Sequence, residues 1–115
     1  MAKLERRIRG DFDQVLEALD RGIFVGSISA SYEDGSDCSV GPMRCAVRVY
    51  ERYSYFGGNR VSLNLTLVGD GEELFLSAIT SGGSKAVCFK LNTWGEAAFL
   101  DALREVVDRL PCGEA

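Results

Sequence analysis

A chain of 115 residues, 46% hydrophobic and 26% charged, has the make-up of one ordinary globular domain. It contains no histidine, which excludes Ser-His-Asp and Cys-His machinery and every imidazole metal site. Its net charge of −4 argues against duplex nucleic acid, whose phosphates are usually met by a basic field.

Met1 to Arg7 open no apolar targeting segment, and no later stretch approaches the roughly 18 apolar residues of a membrane span. A cytoplasmic location is expected, with neither a membrane nor a nucleic-acid partner. Cysteines stand at positions 38, 45, 88 and 112, and none forms a C-x-x-C. In a reducing compartment they read as free thiols, some of them small core residues. No metal and no cofactor is expected.

Leu4 and Ile8 share one face of a short first strand. Asp11 offers a helix N-cap with Gln14 at the capping-box position. Phe12, Val15, Leu16 and Leu19 follow at helical spacing, and Gly22 suits a C-terminal cap, so a helix is predicted over 11–21. Ile28, Ala30 and Tyr32 alternate with serines in a second strand. The stretch 34–42, rich in Asp, Gly and Ser, reads as loop.

A third strand, 43–56, sets Cys45, Val47, Val49, Tyr53 and Tyr55 against Arg44, Arg48, Arg52 and Ser54. The first set, taken as the more apolar, is assigned to the core. In a fourth strand Val61, Leu63, Leu65 and Leu67 oppose Ser62, Asn64 and Thr66. Asp70-Gly71 signals a two-residue type I′ turn, pairing Leu67 with Leu74. Gly82-Gly83 as a second such turn pairs Thr80 with Lys85, Ala78 with Val87 and Leu76 with Phe89 in a sixth strand. A three-residue loop at Gly57-Gly58-Asn59 keeps Val49 on the core side. Thr93 and Glu96 cap a last helix whose stripe is Phe99, Leu100, Leu103, Val106, Val107 and Leu110, ended by Pro111.

The order β-α-β-β-β-β-β-α predicts a two-layer α+β domain. An antiparallel sheet of five to six strands carries two helices on one face, as a small helix-grip or TATA-binding-protein-like fold does. Across the expected inner face the odd member is Glu51, a carboxylate between Val49 and Tyr53. Buried carboxylates need partners and gather at sites. Tyr53, Tyr55, Thr80 and Lys85 would supply them, giving a pocket for a small apolar or amphipathic ligand between sheet and last helix. Arg44, Arg48 and Arg52 form a basic stripe on the expected outer face, read as solvated. Glu33, Asp34 and Asp37 lack EF-hand spacing. Ser81 to Ser84 precede a strand and form no P-loop. The outer face is also more apolar than a solvated sheet, with Tyr50, Val68, Phe75, Ile79, Ala86 and Cys88 on it, which points to self-association.

The stretches Gly26–Asp37 (GSISASYEDGSD), Arg44–Ser54 (RCAVRVYERYS), Gly57–Asn64 (GGNRVSLN) and Ser77–Ser84 (SAITSGGS) resemble a family of short bacterial proteins catalogued only as a domain of unknown function. The resemblance runs from about residue 10 to 107 and implies a bacterial, cytoplasmic, single-domain protein. It supplies no functional residues. Two functions are therefore expected from the residues alone. The first is a non-enzymatic domain holding a small ligand through Glu51, Tyr53, Tyr55, Thr80 and Lys85. The second is a homodimeric interaction module using Tyr50, Phe75 and Ile79, with no pocket.

Overall fold

The computed structural model describes residues 2–26, 30–53, 60–82, 100–101 and 103–110. In chain order they form β1 (Ala2–Arg9), α1 (Phe12–Gly26), β2 (Ser31–Val40), β3 (Met43–Tyr53), β4 (Arg60–Asp70) and β5 (Glu73–Gly82). A second helix, α2, is helical at 100–101 and 103–108. The five strands make one antiparallel sheet in the order β1-β5-β4-β3-β2, and both helices contribute to the core on one face of it. This is the expected α+β class.

α1 starts where its cap predicts. The Asp11 carboxylate accepts from the Gln14 amide at 3.0 Å, satisfying an otherwise orphaned donor of the first turn. Phe12, Val15, Leu19 and Ile23 are buried. The helix does not stop at Gly22 but continues to Gly26. Gly22 serves a helix crossing instead, since a Cβ there would overlap the side chain of Val106 of α2. From α2, Leu100, Leu103 and Val107 are buried, with Val106 and Leu110 packed at the margin. Thr93, Glu96 and Phe99 lie outside the described residues.

β4 and β5 carry the core as expected. Val61, Leu63, Leu65 and Leu67 alternate with half-buried or exposed residues, as do Leu74, Leu76, Ala78 and Thr80. Their register differs from the expected one. Leu67 pairs with Leu76, and Asp70 pairs with Glu73, so Gly71-Glu72 rather than Asp70-Gly71 forms the turn. Gly71 has φ 63°, and among the described residues positive φ is confined to glycine. A type II′ turn needs a left-handed residue only at its first central position, whereas I′ needs two. Moving the turn by one residue shifts each pair by two, so every side chain keeps its face. Leu67 remains fully buried.

Three expectations fail on tertiary grounds. First, both edges of β5 are taken, by β4 and by β1, so Thr80 pairs with Leu63 and Ala2. The pairing of Thr80, Ala78 and Leu76 with a sixth strand is thereby excluded, and Lys85, Val87 and Phe89 themselves lie outside the described residues. Second, the segment read as loop is most of β2. It pairs Cys38 with Cys45 and Val40 with Met43, with a slip between Tyr32 and Asp34, and turns at Gly41-Pro42, where Gly41 has φ 58°. Turn-forming composition is overridden here because β3 offers a full edge to hydrogen-bond with.

Third, β3 is turned over. Ala46 faces Leu67 and Tyr50 faces Leu63, and both are fully buried. Cys45, Val47, Val49 and Glu51 therefore lie on the other face, and Arg44, Arg48 and Arg52 share the helix side. Gly57, Gly58 and Asn59 are outside the described residues. The β3 to β4 register nevertheless has Val49 opposite Asn64, the parity that the three-residue loop was meant to avoid. The inner rows now read Ile8, Leu74, Gly69, Arg44; then Arg6, Leu76, Leu67, Ala46; then Leu4, Ala78, Leu65, Arg48; then Ala2, Thr80, Leu63, Tyr50.

Candidate functional site

The inversion of β3 has a local cause. The inner face is covered by α1, whose flank toward β3 carries Asp13 and Asp20. Arg44 donates to both carboxylate oxygens of Asp13, at 2.9 and 3.2 Å. Its guanidinium also lies 4.2 Å from the centre of the Phe12 ring, a cation–π placement. Hydrogen bonding to Arg44 holds the Asp13 carboxyl below the usual carboxylate range and raises Arg44 in return. Arg48 reaches the other way, giving Asp37 of β2 two bonds at 2.9 and 3.2 Å and one to the Val47 carbonyl at 2.9 Å. Each guanidinium sits at the margin of the helix layer, where its stem can pack and its head stays wet.

Tyr50 lies deeper. Its ring is fully buried, meets Phe24 and Tyr32 edge-on at 5.8 and 5.9 Å, and its hydroxyl donates to Asp20 Oδ1 at 2.6 Å. Burial first, and the Asp20 carboxylate second, push the phenol far above its ordinary value. A tyrosine held so firmly neutral acts as a structural donor that ties α1 to the sheet. Tyr50, expected at an interface, is thus a core residue.

The residues expected to line a ligand pocket fall apart. Glu51 is opposite Ser62 on the face away from the helices and pairs with Arg60 at 3.0 Å. It is a partly exposed carboxylate with a cation beside it. Thr80 is on the helix side, buried, and exchanges hydrogen bonds with the Ala2 backbone at 3.1 and 3.3 Å. The backbone of Tyr53 pairs with Arg60; its side chain, Tyr55 and Lys85 are outside the described residues. Glu51 and Thr80 therefore stand on opposite faces of the sheet. Between sheet and helices, Leu63, Leu65, Leu76, Leu19, Ile23 and Leu103 are all fully buried. The acids Glu33, Asp34 and Asp37 also separate, since Asp34 bonds the Gly35 amide and Asp37 holds Arg48. Among the described residues, no group of three or more Cys, Asp or Glu is placed to hold a metal.

What the structure does bring together is the open face. Its rows run Arg9, Glu73, Asp70, Met43, Val40; then Arg7, Phe75, Val68, Cys45, Cys38; then Glu5, Ser77, Thr66, Val47, Ser36; then Lys3, Ile79, Asn64, Val49, Asp34. Val40 is 74% exposed, and Met43, Phe75 and Ile79 about as exposed as one another at 40, 40 and 38%. A depression of about 360 Å³ lies among Arg7, Met43, Val68 and Phe75. No described helix packs there. Phase along β4 and β5 correctly placed Phe75, Val68 and Ile79 on this face. Met43, Val40, Val47 and Val49 carry no such signal, because the more apolar side of β3 points to the core by composition and the Asp, Gly and Ser of β2 point to a loop.

The family of unknown function DUF6054 matches residues 1–111. The chain belongs to this family. No curated protein and no solved structure matches it. Among the described residues, no helix is long and apolar enough to cross a membrane.

Proposed function

We propose that this member of the DUF6054 family is an interaction module whose open sheet face docks a second copy of itself. The observation that carries the reading is the band of Val40, Met43, Phe75 and Ile79, apolar and exposed on a face that no described element covers. Five strands about 4.8 Å apart and about eight residues of 3.3 Å along each give about 600 Å² per copy. A pair would bury about 1,200 Å², the lower end of a specific interface.

Charge supports an identical partner and sets its orientation. The β1 margin of this face presents Lys3, Arg7 and Arg9 around one glutamate, and the opposite margin presents Asp34 of β2. A two-fold axis in the face, parallel to the strands and over β4, lays the β1 margin of each copy on the β2 margin of the other. Lys3 then approaches Asp34, Ile79 approaches Val49, and Val68 meets its own counterpart. A two-fold axis across the strands would instead set β1 on β1, cation on cation.

Size-exclusion chromatography with light scattering is expected to give twice 12.5 kDa. Phe75→Glu should return a folded monomer, because it would bury an unpaired charge in the pair while leaving an exposed site tolerable in the single copy. A wild-type chain that stays at 12.5 kDa at the highest attainable concentration overturns the reading.

A further inference from the structure

Cys38 of β2 and Cys45 of β3 are direct partners across the hairpin. Both lie on the open face, Cys38 exposed and Cys45 half-buried, and both are reduced. Directly opposed residues of antiparallel strands have Cα atoms about 4.5–5.5 Å apart, within the roughly 4.4–6.8 Å that a disulfide spans. An exposed cysteine facing a second one is not explained by core packing. Nor does the pair make a useful staple. The ring it would close encloses only residues 39–44, already held in register by the hairpin, and disulfide stabilisation grows with loop length.

We propose that, in the single copy, Cys38 and Cys45 form a thiol–disulfide redox site that takes oxidising equivalents from low-molecular-weight disulfides of the oxidised-glutathione type; a second copy docked on the open face would cover them. The exposed Cys38 gives its proton to water, and the thiolate attacks one sulfur of the small disulfide. A Cys38–S–S–R bond forms and the first RS⁻ leaves. Cys45 then loses its proton and attacks the Cys38 sulfur, closing the Cys38–Cys45 bond and expelling the second RS⁻. Two protein thiols are oxidised by two electrons, one small disulfide is reduced to two thiols, and the two protein protons end on those thiols. Burial above all, then the neighbouring Cys38 and Asp37, push the Cys45 thiol up. Thiolate supply therefore limits the closing step, which should accelerate from neutral to alkaline pH.

The test uses the full chain with Cys88→Ser and Cys112→Ser, diluted until size exclusion shows a single copy, treated with oxidised glutathione, acid-quenched, alkylated and weighed. The expected product is two hydrogens lighter than the reduced chain, unalkylated and free of glutathione. It should outnumber the mixed disulfide by about tenfold, because a facing thiol acts at a high effective concentration. Adding Cys45→Ser should leave a stable single glutathione adduct on Cys38. In the wild-type chain, peptide mapping should find Cys38–Cys45 ahead of any pairing with Cys88 or Cys112, which keeps the test valid should the serine variants fail to fold. An unchanged reduced mass, persistent glutathione adducts without cyclised product, or bonds only between chains would each overturn the proposal.

Discussion

On the helix side of the sheet, Leu63, Leu65, Leu67 and Leu76 are fully buried, while their immediate neighbours Phe75 and Ile79 keep 40 and 38% of their surface exposed on the other side. Both faces carry large apolar groups on the same strands. What separates them is the second layer. Where α1 and α2 lie over the sheet, an apolar side chain is surrounded and even arginines are given carboxylate partners. Where no described element lies, a band of valines, Met43, Phe75 and Ile79 stays at least partly exposed. Hydrophobicity alone therefore does not mark the core of a two-sided sheet, and on β3 it marks the opposite face.

Truncation should separate the two faces most strongly. In a Phe75→Glu background, where self-association is removed, Leu65→Ala is expected to cost about 2–5 kcal/mol in urea unfolding. Ile79→Ala in the same background should cost about 1 kcal/mol or less. Equal losses would mean that the open face is packed as tightly as the covered one, and the contrast would break.

A smaller effect is expected from Tyr50→Phe, which removes the hydroxyl that ties β3 to Asp20 of α1. Hydrogen bonds to charged groups contribute about 1.5–3 kcal/mol, so a loss in that range should appear at neutral pH. The pH dependence has a definite sign. The folded phenol titrates above its unfolded value, so its stabilisation is complete below about pH 10 and declines as pH rises past that value. The advantage of wild type over Tyr50→Phe in thermal melts should therefore be constant from pH 6 to 9 and shrink above 10. An advantage that stayed constant above pH 10 would mean an unshifted phenol in solvent, contrary to the inversion of β3.

The smallest effect belongs to the margin of the helix layer. Asp13→Asn breaks the Arg44 pair, whose side chains remain 70 and 48% exposed, so its melting-temperature loss should be below that of Tyr50→Phe and should fade in high salt. Asp13 is held below its ordinary value by Arg44, so the contribution is present above about pH 4 and lost as pH falls through the lowered folded value. A salt-independent loss would mean that the pair is buried rather than marginal.

Much of this arrangement is legible in the chain. Asp11 and the spacing of Phe12, Val15 and Leu19 announce α1. The unbroken alternation from Val61 to Leu67 and from Leu74 to Thr80 defines β4 and β5, and Leu100, Leu103 and Val107 mark the last helix. These are local signals, and each element has one plainly apolar side. The candidate site was less legible. Phe75 and Ile79 could be placed on the open face by parity, but Glu51 and Tyr50 were exchanged between faces because β3 is amphipathic in both directions. Its even positions alternate arginine with Ala46 and Tyr50, and its odd positions are Cys45, Val47, Val49 and Glu51.

The sequence by itself thus determined the type of β1, α1, β4, β5 and the last helix, the face of the side chains on β4 and β5, and the cap of α1. Only the tertiary structure decided that β1 takes the free edge of β5, since Leu4 and Ala78 meet across a separation no local pattern encodes. Only it made a strand of Asp34, Gly35 and Ser36, because the edge of β3 supplies hydrogen bonds that outweigh turn propensity. It also turned Arg44, Arg48 and Tyr50 toward the helices. The energy that settles a two-sided strand is not in the strand, but in the carboxylates and aromatic rings that the second layer brings to it.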